Sequence, residues 1–413
     1  MKVLLLSAYY EPEVAASLYL SANLNEDLAN SGFDVEIYTP MPTRGVSDEI
    51  RKKYKQKPIE ILYEGRLTIH RIHMPKETKG TMTRAIRYIL LNILLFFKGL
   101  GTKADVIFLY STPPTQGLMG AWLKKIKKVP VIYDLQDIFP DSLINTGLTT
   151  NSIILKIGKS MERYIYKNVS RIIVISEDFK RNLINKGVPE NKIDVVYNWV
   201  DENAVRPIER KDNVLISRYN LNQDSFYITY SGNIGHTQNM DMLVDIAKEL
   251  VDYKSISIII IGDGSYKRDL VKLLKEKKIT NIIMLPFQPY KDISHVFSLG
   301  DVGLIISKAN IGQNSVPSKT WSIMSAARPV LASFDIDSEL CNIINRAHCG
   351  LCVSADDKEA LKTSILELYN NRERLKEIGE NGRLYILDNL TREKGTSRIK
   401  EIIADTINKF NKR

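Results

Sequence analysis

FYITYSGNIG, residues 226–235, is an apolar run that breaks into a glycine turn. MDMLVDIAKEL, 240–250, then places apolar residues at helical spacing, and SISIIIIGDGS, 255–265, is a second apolar run ending in glycines. Two such runs joined by an amphipathic helix read as parallel strands with a right-handed crossover. Parallel strands need cover on both faces, so this order predicts a doubly wound α/β domain and excludes a sandwich or a bundle. Downstream, DLVKLLKEK (269–277) reads as a helix and NIIML (281–285) and VGLIIS (302–307) as strands. SVPSKTWSIMSAARPVLA (315–332) reads as a polar loop, a helix and a short strand.

The same alternation runs upstream. KVLLL (2–6), a helical pattern to Asn30 closed by Gly32, and DVEIYT (34–39) form one βα unit, and DVIFLY (105–110), VPVIYD (129–134), RIIVIS (171–176) and IDVVYN (193–198) continue the sheet. Polar residues 199–222, with Pro207, are the best linker. At 413 residues the chain exceeds what one core usually serves. The expectation is therefore an N-terminal Rossmann-like domain, 1–203, a second one, 204–385, and a helical segment, 386–413, packing back toward the first, with ligands in a cleft between the domains.

A hydrophobic fraction of 44% and charged fraction of 26% fit a folded chain, and a net charge of +10 favours phosphate-bearing ligands or anionic lipid. Nucleic acid is disfavoured, since no basic stripe is interleaved with aromatics. Three cysteines, an odd number, argue against a disulfide framework and fit a reducing compartment. The N-terminus has too short an apolar run for a secretory leader and reads as a cytoplasmic strand. YILLNILLFF, Tyr88–Phe97, covers about half of a bilayer crossing. With Arg84, Arg87, Lys98 and Lys103 around it and KKIKK at 124–128 nearby, it reads either as a buried helix or as an interfacial one facing anionic headgroups.

The glycines Gly232, Gly235, Gly262 and Gly264 stand where strands end and helices begin, positions where main-chain amides approach phosphate. They are not a dinucleotide fingerprint, because G-x-G-x-x-G would need glycine at Lys267. Lys319 lies in the first turn of its helix, where the dipole disfavours a cation by some tenths of a kcal/mol; an anion bound there would reconcile the two. Asp134, Gln136, Asp137 and Asp141 follow the fourth strand and Glu11 and Glu13 the first, at edges where carboxylates touch sugar hydroxyls, take protons, or merely cap helices. Cys349 and Cys352 have C-x-x-C spacing beside His348, but CGLCV reads as a strand whose alternate side chains diverge, so free buried cysteine is preferred over zinc. No H-E-x-x-H or G-x-S-x-G is present.

Taken together, YYEPE (9–13), STPPTQGLMGAWL (111–123), QDIFPD (136–141), VISEDFKRNLINKGVPENKIDVVYNWVD (174–201), YSGNIG, IIIIGDG and VPSKTWSIMSAARPVLA make the chain resemble the retaining GT-B glycosyltransferases of the GT4 family, in the bacterial O-antigen and capsule branch. The resemblance implies a GT-B fold and a nucleotide-sugar donor on the second domain, bound by Gly232, Asn233, Gly235, Asn239, Gly262, Gly264, Pro317, Ser318 and Ser322. It implies a lipid-linked saccharide acceptor on the first domain near Glu11, Glu13 and Gln136. Asp137, Lys319 and Asn314 would be the catalytic set, with no metal and no cofactor, and the protein would sit peripherally on the inner face of the plasma membrane through residues 84–103.

Departures accompany it. The family's paired glutamates align with Asn314 and Ser322, its arginine and lysine after the glycine loop with Asn233 and Asn239, and its histidine before the loop aspartate with Gln136. Lys319, with Lys308, would then carry the phosphate neutralisation. Two rivals are a sugar-nucleotide epimerase of the same architecture and a non-catalytic binding partner.

Overall fold

The computed structural model describes residues 1–13, 18–78, 80–145, 151–312 and 316–412. The chain divides into two units, 1–198 with 393–413, and 199–392.

The first unit is built on β1 (Lys2–Leu6), β2 (Asp34–Pro40), β3 (Ile59–Leu62), β4 (Leu67–Ile72), β5 (Val106–Tyr110), β6 (Val131–Leu135), β7 (Arg171–Val174) and β8 (Ile193–Val195), in the order β3-β4-β2-β1-β5-β6-β7-β8. Neighbours run parallel except β3 and β4, an edge hairpin that the strand reading above does not contain. Its turn places Glu64 at φ 54° and Gly65 at φ 88°, a Glu-Gly signal between alternating runs. The central strands are apolar on both faces because helices cover both. Leu4, Leu6, Ile107, Leu109 and Val131 pack with Leu91 and Leu95 of helix Thr81–Gly101, Leu123 of helix Thr115–Lys127, and Phe179 and Leu183 of helix Glu177–Asn185.

The second unit holds β9 (Phe226–Asn233), β10 (Ile256–Asp263), β11 (Ile282–Leu285), β12 (Val302–Ile306), β13 (Val330–Phe334) and β14 (Gly350–Ser354), all parallel, in the order β11-β10-β9-β12-β13-β14. The order reverses between β9 and β12 here, and between β1 and β5 in the first unit. In open α/β sheets, ligands bind beyond the carboxyl ends of strands at such points.

The unit boundaries fall at 198/199 and 392/393, not at 203/204 and 385/386. Residues 199–222 are not a free linker: Trp199, Val205, Leu215 and Ile216 are buried, the last two against Tyr227 and Ile259. Helix Leu375–Asn389 belongs wholly to the second unit, where Arg383 donates to the carbonyls of Val205 (3.1 Å) and Ser325 (2.9 Å). Helix Arg392–Asn411 packs on the first unit, where Arg171 reaches Asp405 at 3.2 Å.

Two further expectations are corrected. Cys341 and Cys352 form a disulfide, bringing helix Glu339–Arg346 to β14 with a Cα separation of 5.8 Å, and only Cys349 stays free and buried. An odd cysteine count does not exclude a pair when packing places two sulfurs together. In helix Thr81–Gly101, Arg87 is buried, and Arg84 pairs with Glu77 at 3.0 Å, so neither is simply turned toward a surface. The outward face is apolar instead, with Ile86, Ile89, Ile93 and Phe97 exposed beside Trp122 and Ile126 of the neighbouring helix Thr115–Lys127. Among the described residues, no helix is long and apolar enough to cross a membrane.

Candidate active site

In the second unit, β9 and β10 end in paired glycines, Gly232 opposite Gly262. A Cβ on Gly262 would lie 1.9 Å from the Gly232 carbonyl oxygen, and one on Gly264 would lie 2.2 Å from that of Ile234. These two glycines are therefore demanded by main-chain approach, a reason other than the phosphate contact predicted for them. Three of the loop amides are committed too. Ile234 N–H donates to the Asp263 carbonyl (2.8 Å), Gly235 N–H to Gln238 Oε1 (2.9 Å) and Gly264 N–H to Asp263 Oδ1 (2.8 Å). Asn239 caps helix Met240–Glu249 by accepting from Met242 N–H at 3.4 Å and donates to Asp356 at 2.5 Å. It serves the helix start and the turn at Asp356, so its predicted donor contact is not prepared.

Lys319 is different. It opens the short helix Lys319–Ser325, held in place by Trp321 and Met324 in the core, and its Nζ lies 3.8 Å from the centre of the Tyr230 ring. A Cβ on Gly232 would stand 3.5 Å from that Nζ, so the amine occupies the glycine turn at the β9 end. Tyr230 and Gly232 share a strand face, two residues apart, and Tyr230 fixes the turn by donating to the Asn233 carbonyl at 2.5 Å. Burial lowers the amine's pKa to about 7, and no carboxylate contributes to it. The ring's attraction for a cation, about 0.5 to 2 kcal/mol, does not offset that desolvation.

Ser318 makes no capping bond, and Pro317, Ser318 and Ser322 are partly exposed around the same turn. Lys308 is exposed. Asn314 lies outside the described residues; the chain before it is anchored by Asp335, which accepts from the amides of Asn310 (2.9 Å) and Gly312 (2.6 Å).

In the first unit the loop after β6 is fastened by Ser111, whose Oγ accepts from Gln136 N–H (2.9 Å) and Asp137 N–H (3.3 Å). Gln136 donates to buried Asp134 (2.9 Å) and accepts from Asn198 (2.9 Å), so its amide is spent on the loop rather than left for an acceptor. Burial raises Asp134 to about 7 and Asp137 to about 6. Asp137 is exposed as a residue, but its carboxyl is largely desolvated on this fastened loop, and the two are the first unit's most perturbed carboxyls. Asp141 pairs with Lys186 at 2.8 Å.

Glu13 is buried and accepts from Thr43 N–H (2.8 Å), Thr43 Oγ1 (3.2 Å) and Arg44 N–H (3.0 Å), so its role is to hold the loop after β2, not an acceptor. The pKa of Glu11 is raised, first by partial desolvation of its carboxyl and then by Glu26. With Tyr10, Tyr54, Tyr63 and Arg71 it lines a 200 Å³ cavity. No cluster of metal-ligating side chains occurs among the described residues.

Residues 21–204 match the family described as Glycosyltransferase Family 4, and residues 212–385 the family described as Glycosyl transferases group 1. The chain is a glycosyltransferase of this GT-B, group 1/family 4 type. A relative of this glycosyltransferase is the putative colanic acid biosynthesis glycosyl transferase WcaI of Escherichia coli K12, 23% identical over 88% of this chain and 91% of that protein. Two solved structures share the fold. Sucrose-phosphate synthase of Thermosynechococcus elongatus has a TM-score of 0.77 at 14% identity, covering 98% of both chains. Anabaena HepE in complex with UDP-glucose has 0.72 at 14%, covering 98% of this glycosyltransferase and 100% of HepE.

Proposed function

We propose that this glycosyltransferase moves a sugar from a nucleotide-diphosphate donor, bound by the second unit, to a lipid-linked saccharide bound by the first, in cell-surface polysaccharide synthesis. The observation that carries the donor assignment is Lys319: a desolvated amine with no carboxylate partner, at the topological switch point. A diphosphate supplies the charge that the protein withholds. Because the amides of Ile234, Gly235 and Gly264 are already bonded, Lys319 carries most of the stabilisation of the departing diphosphate.

Retention follows if the acceptor hydroxyl attacks from the side the diphosphate leaves, handing its proton to a diphosphate oxygen while Lys319 holds the accumulating charge. Asp137, held near pKa 6 on a fastened loop, orients sugar hydroxyls and stays ionised at neutral pH. No metal is invoked, so transfer should persist in EDTA. The acceptor assignment rests on the apolar face of helix Thr81–Gly101, where Phe97 is 64% and Ile89 58% exposed. Such a contiguous face, flanked by exposed Lys98 and Lys103, suits reversible docking on an anionic leaflet. The relative in colanic acid synthesis supports a polysaccharide product.

The test is calorimetric titration of UDP and the other nucleoside diphosphates into the purified protein and its Lys319→Ala variant. A loss of about 1.5 to 3 kcal/mol is expected, as for hydrogen bonds to charged groups. Equal affinity in the two proteins would remove the diphosphate from this site.

A further inference from the structure

Three guanidinium groups of the first unit converge on one carboxylate. Arg84 Nε lies 3.0 Å, Arg44 Nη2 3.5 Å and Arg87 Nη1 3.9 Å from the oxygens of Glu77. Tyr9 donates to the same carboxylate at 3.0 Å, meets the Tyr88 hydroxyl at 2.6 Å, and lies under the Arg44 guanidinium at 4.7 Å. One carboxylate leaves these arginines a surplus of two positive charges. Nearby acids do not remove it: Asp48 is paired with Lys76, and the charge of Glu13 is set against that of Arg51. A further cation, Arg51, stands close enough that Arg87, after burial, lowers its pKa.

Arg87 is the decisive member. It is 5% exposed, its Nε donates to the Pro75 carbonyl at 3.2 Å, and neither Nη1 nor Nη2 has a hydrogen-bond partner. A buried guanidinium whose two Nη groups have no hydrogen-bond partner is costly, and the fork they form matches the paired oxygens of a phosphate. The cluster lies at the carboxyl edge of the sheet, built from the loops after β1, β2 and β4. Its other contributor is helix Thr81–Gly101, the same helix that exposes Ile86, Ile89 and Ile93. A ligand with a phosphate beside an apolar tail fits both features at once.

We infer that Arg44, Arg84 and Arg87 bind the dianionic diphosphate that joins a membrane lipid to the acceptor glycan it carries. The inference rests on the lipid-linked acceptor proposed above. The charge decides the class, because a phosphodiester headgroup carries a single negative charge and would neutralise half of the surplus.

The test is flotation of the full chain with phosphatidylcholine vesicles containing a polyprenyl diphosphate, against vesicles matched in surface charge with phosphatidylglycerol. The parent should bind the diphosphate vesicles about tenfold more tightly, one decade being about 1.4 kcal/mol and of the order of one charge-assisted contact. Arg44→Gln and Arg84→Gln, at partly exposed positions that folding tolerates, should each lose that preference while still binding phosphatidylglycerol vesicles through the apolar face. Arg87→Lys, which keeps the charge and loses the fork, should lose it as well. Equal binding of the parent to both vesicles, or an undiminished preference in Arg44→Gln and Arg84→Gln, would overturn the assignment. Nucleoside diphosphate titration on the same samples reads the second unit separately. A parent that binds nucleotide but shows no vesicle preference rejects this site alone, and a parent that shows the preference but binds no nucleotide rejects the donor site alone.

Discussion

Replacing Lys319 by methionine should make the second unit more stable and unable to hold a diphosphate. Methionine keeps an unbranched stem against Tyr230 and removes the desolvated ammonium. The fall in pKa from 10.5 to about 7 corresponds to about 5 kcal/mol of disfavoured charge, at about 1.4 kcal/mol for each decade of proton affinity. Lost attraction to the ring and residual solvent contact bring the net gain to about 2 to 3 kcal/mol.

The gain depends on pH with a definite sign. Below pH 7 the folded and unfolded chains both carry the proton, and the folded one bears the whole penalty. From about 7 to 10.5 the unfolded chain binds more protons, so the parent's stability rises and its deficit closes by up to about 1.4 kcal/mol per pH unit. Urea unfolding of both proteins, followed by tryptophan fluorescence, should show a gap that is about 2 kcal/mol smaller at pH 8.5 than at pH 6.5. In the parent, nucleoside diphosphate affinity should fall about fifteenfold between pH 7 and 8.5, as the protonated fraction of Lys319 drops while a phosphate of pKa near 6 stays ionised. A stability gap of the same size at both pH values would refute the account of Lys319 as a desolvated, uncompensated amine.

Glu13→Ala should lower stability by about 2 to 3 kcal/mol, because the Thr43 and Arg44 amides lose their shared acceptor; a change in acceptor KM at unaltered thermal midpoint would show instead that Glu13 touches substrate. Gly262→Ala puts a methyl 1.9 Å from the Gly232 carbonyl and should cost about 3 kcal/mol or more, seen as a lowered urea midpoint even without ligand. The combined variant Ile89→Asp, Ile93→Asp and Phe97→Asp should keep its fold by circular dichroism, since all three side chains are exposed, yet lose vesicle binding. Retained flotation would mean that the apolar face is not what meets lipid.

The alternation of apolar runs and amphipathic helices was enough, by itself, to specify two doubly wound sheets, because a strand covered on both faces has no room for polar residues. It also singled out Lys319, since a cation in a helix's first turn conflicts with a rule that is local. The β3–β4 hairpin was harder to read: Ile59 and Ile61 lie on an exposed edge strand, where apolar patterning has no core to answer to. What the sequence could not assign was the use of each polar group. Glu13 and Asp137 look equivalent as loop carboxylates, and only the fold brings the Thr43 and Arg44 amides to the first and holds the second desolvated on a loop fastened by Ser111. Gly235 and Asn239 read as ligand contacts until Gln238 and Asp356 are seen to occupy them. Arg44 and Arg87 are distant in the chain, and their shared carboxylate exists only after β2 and helix Thr81–Gly101 have packed. Hydrogen bonds and charge surpluses depend on neighbours brought together by the whole fold, whereas periodicity depends on neighbours in sequence; the first therefore needed the tertiary structure and the second did not.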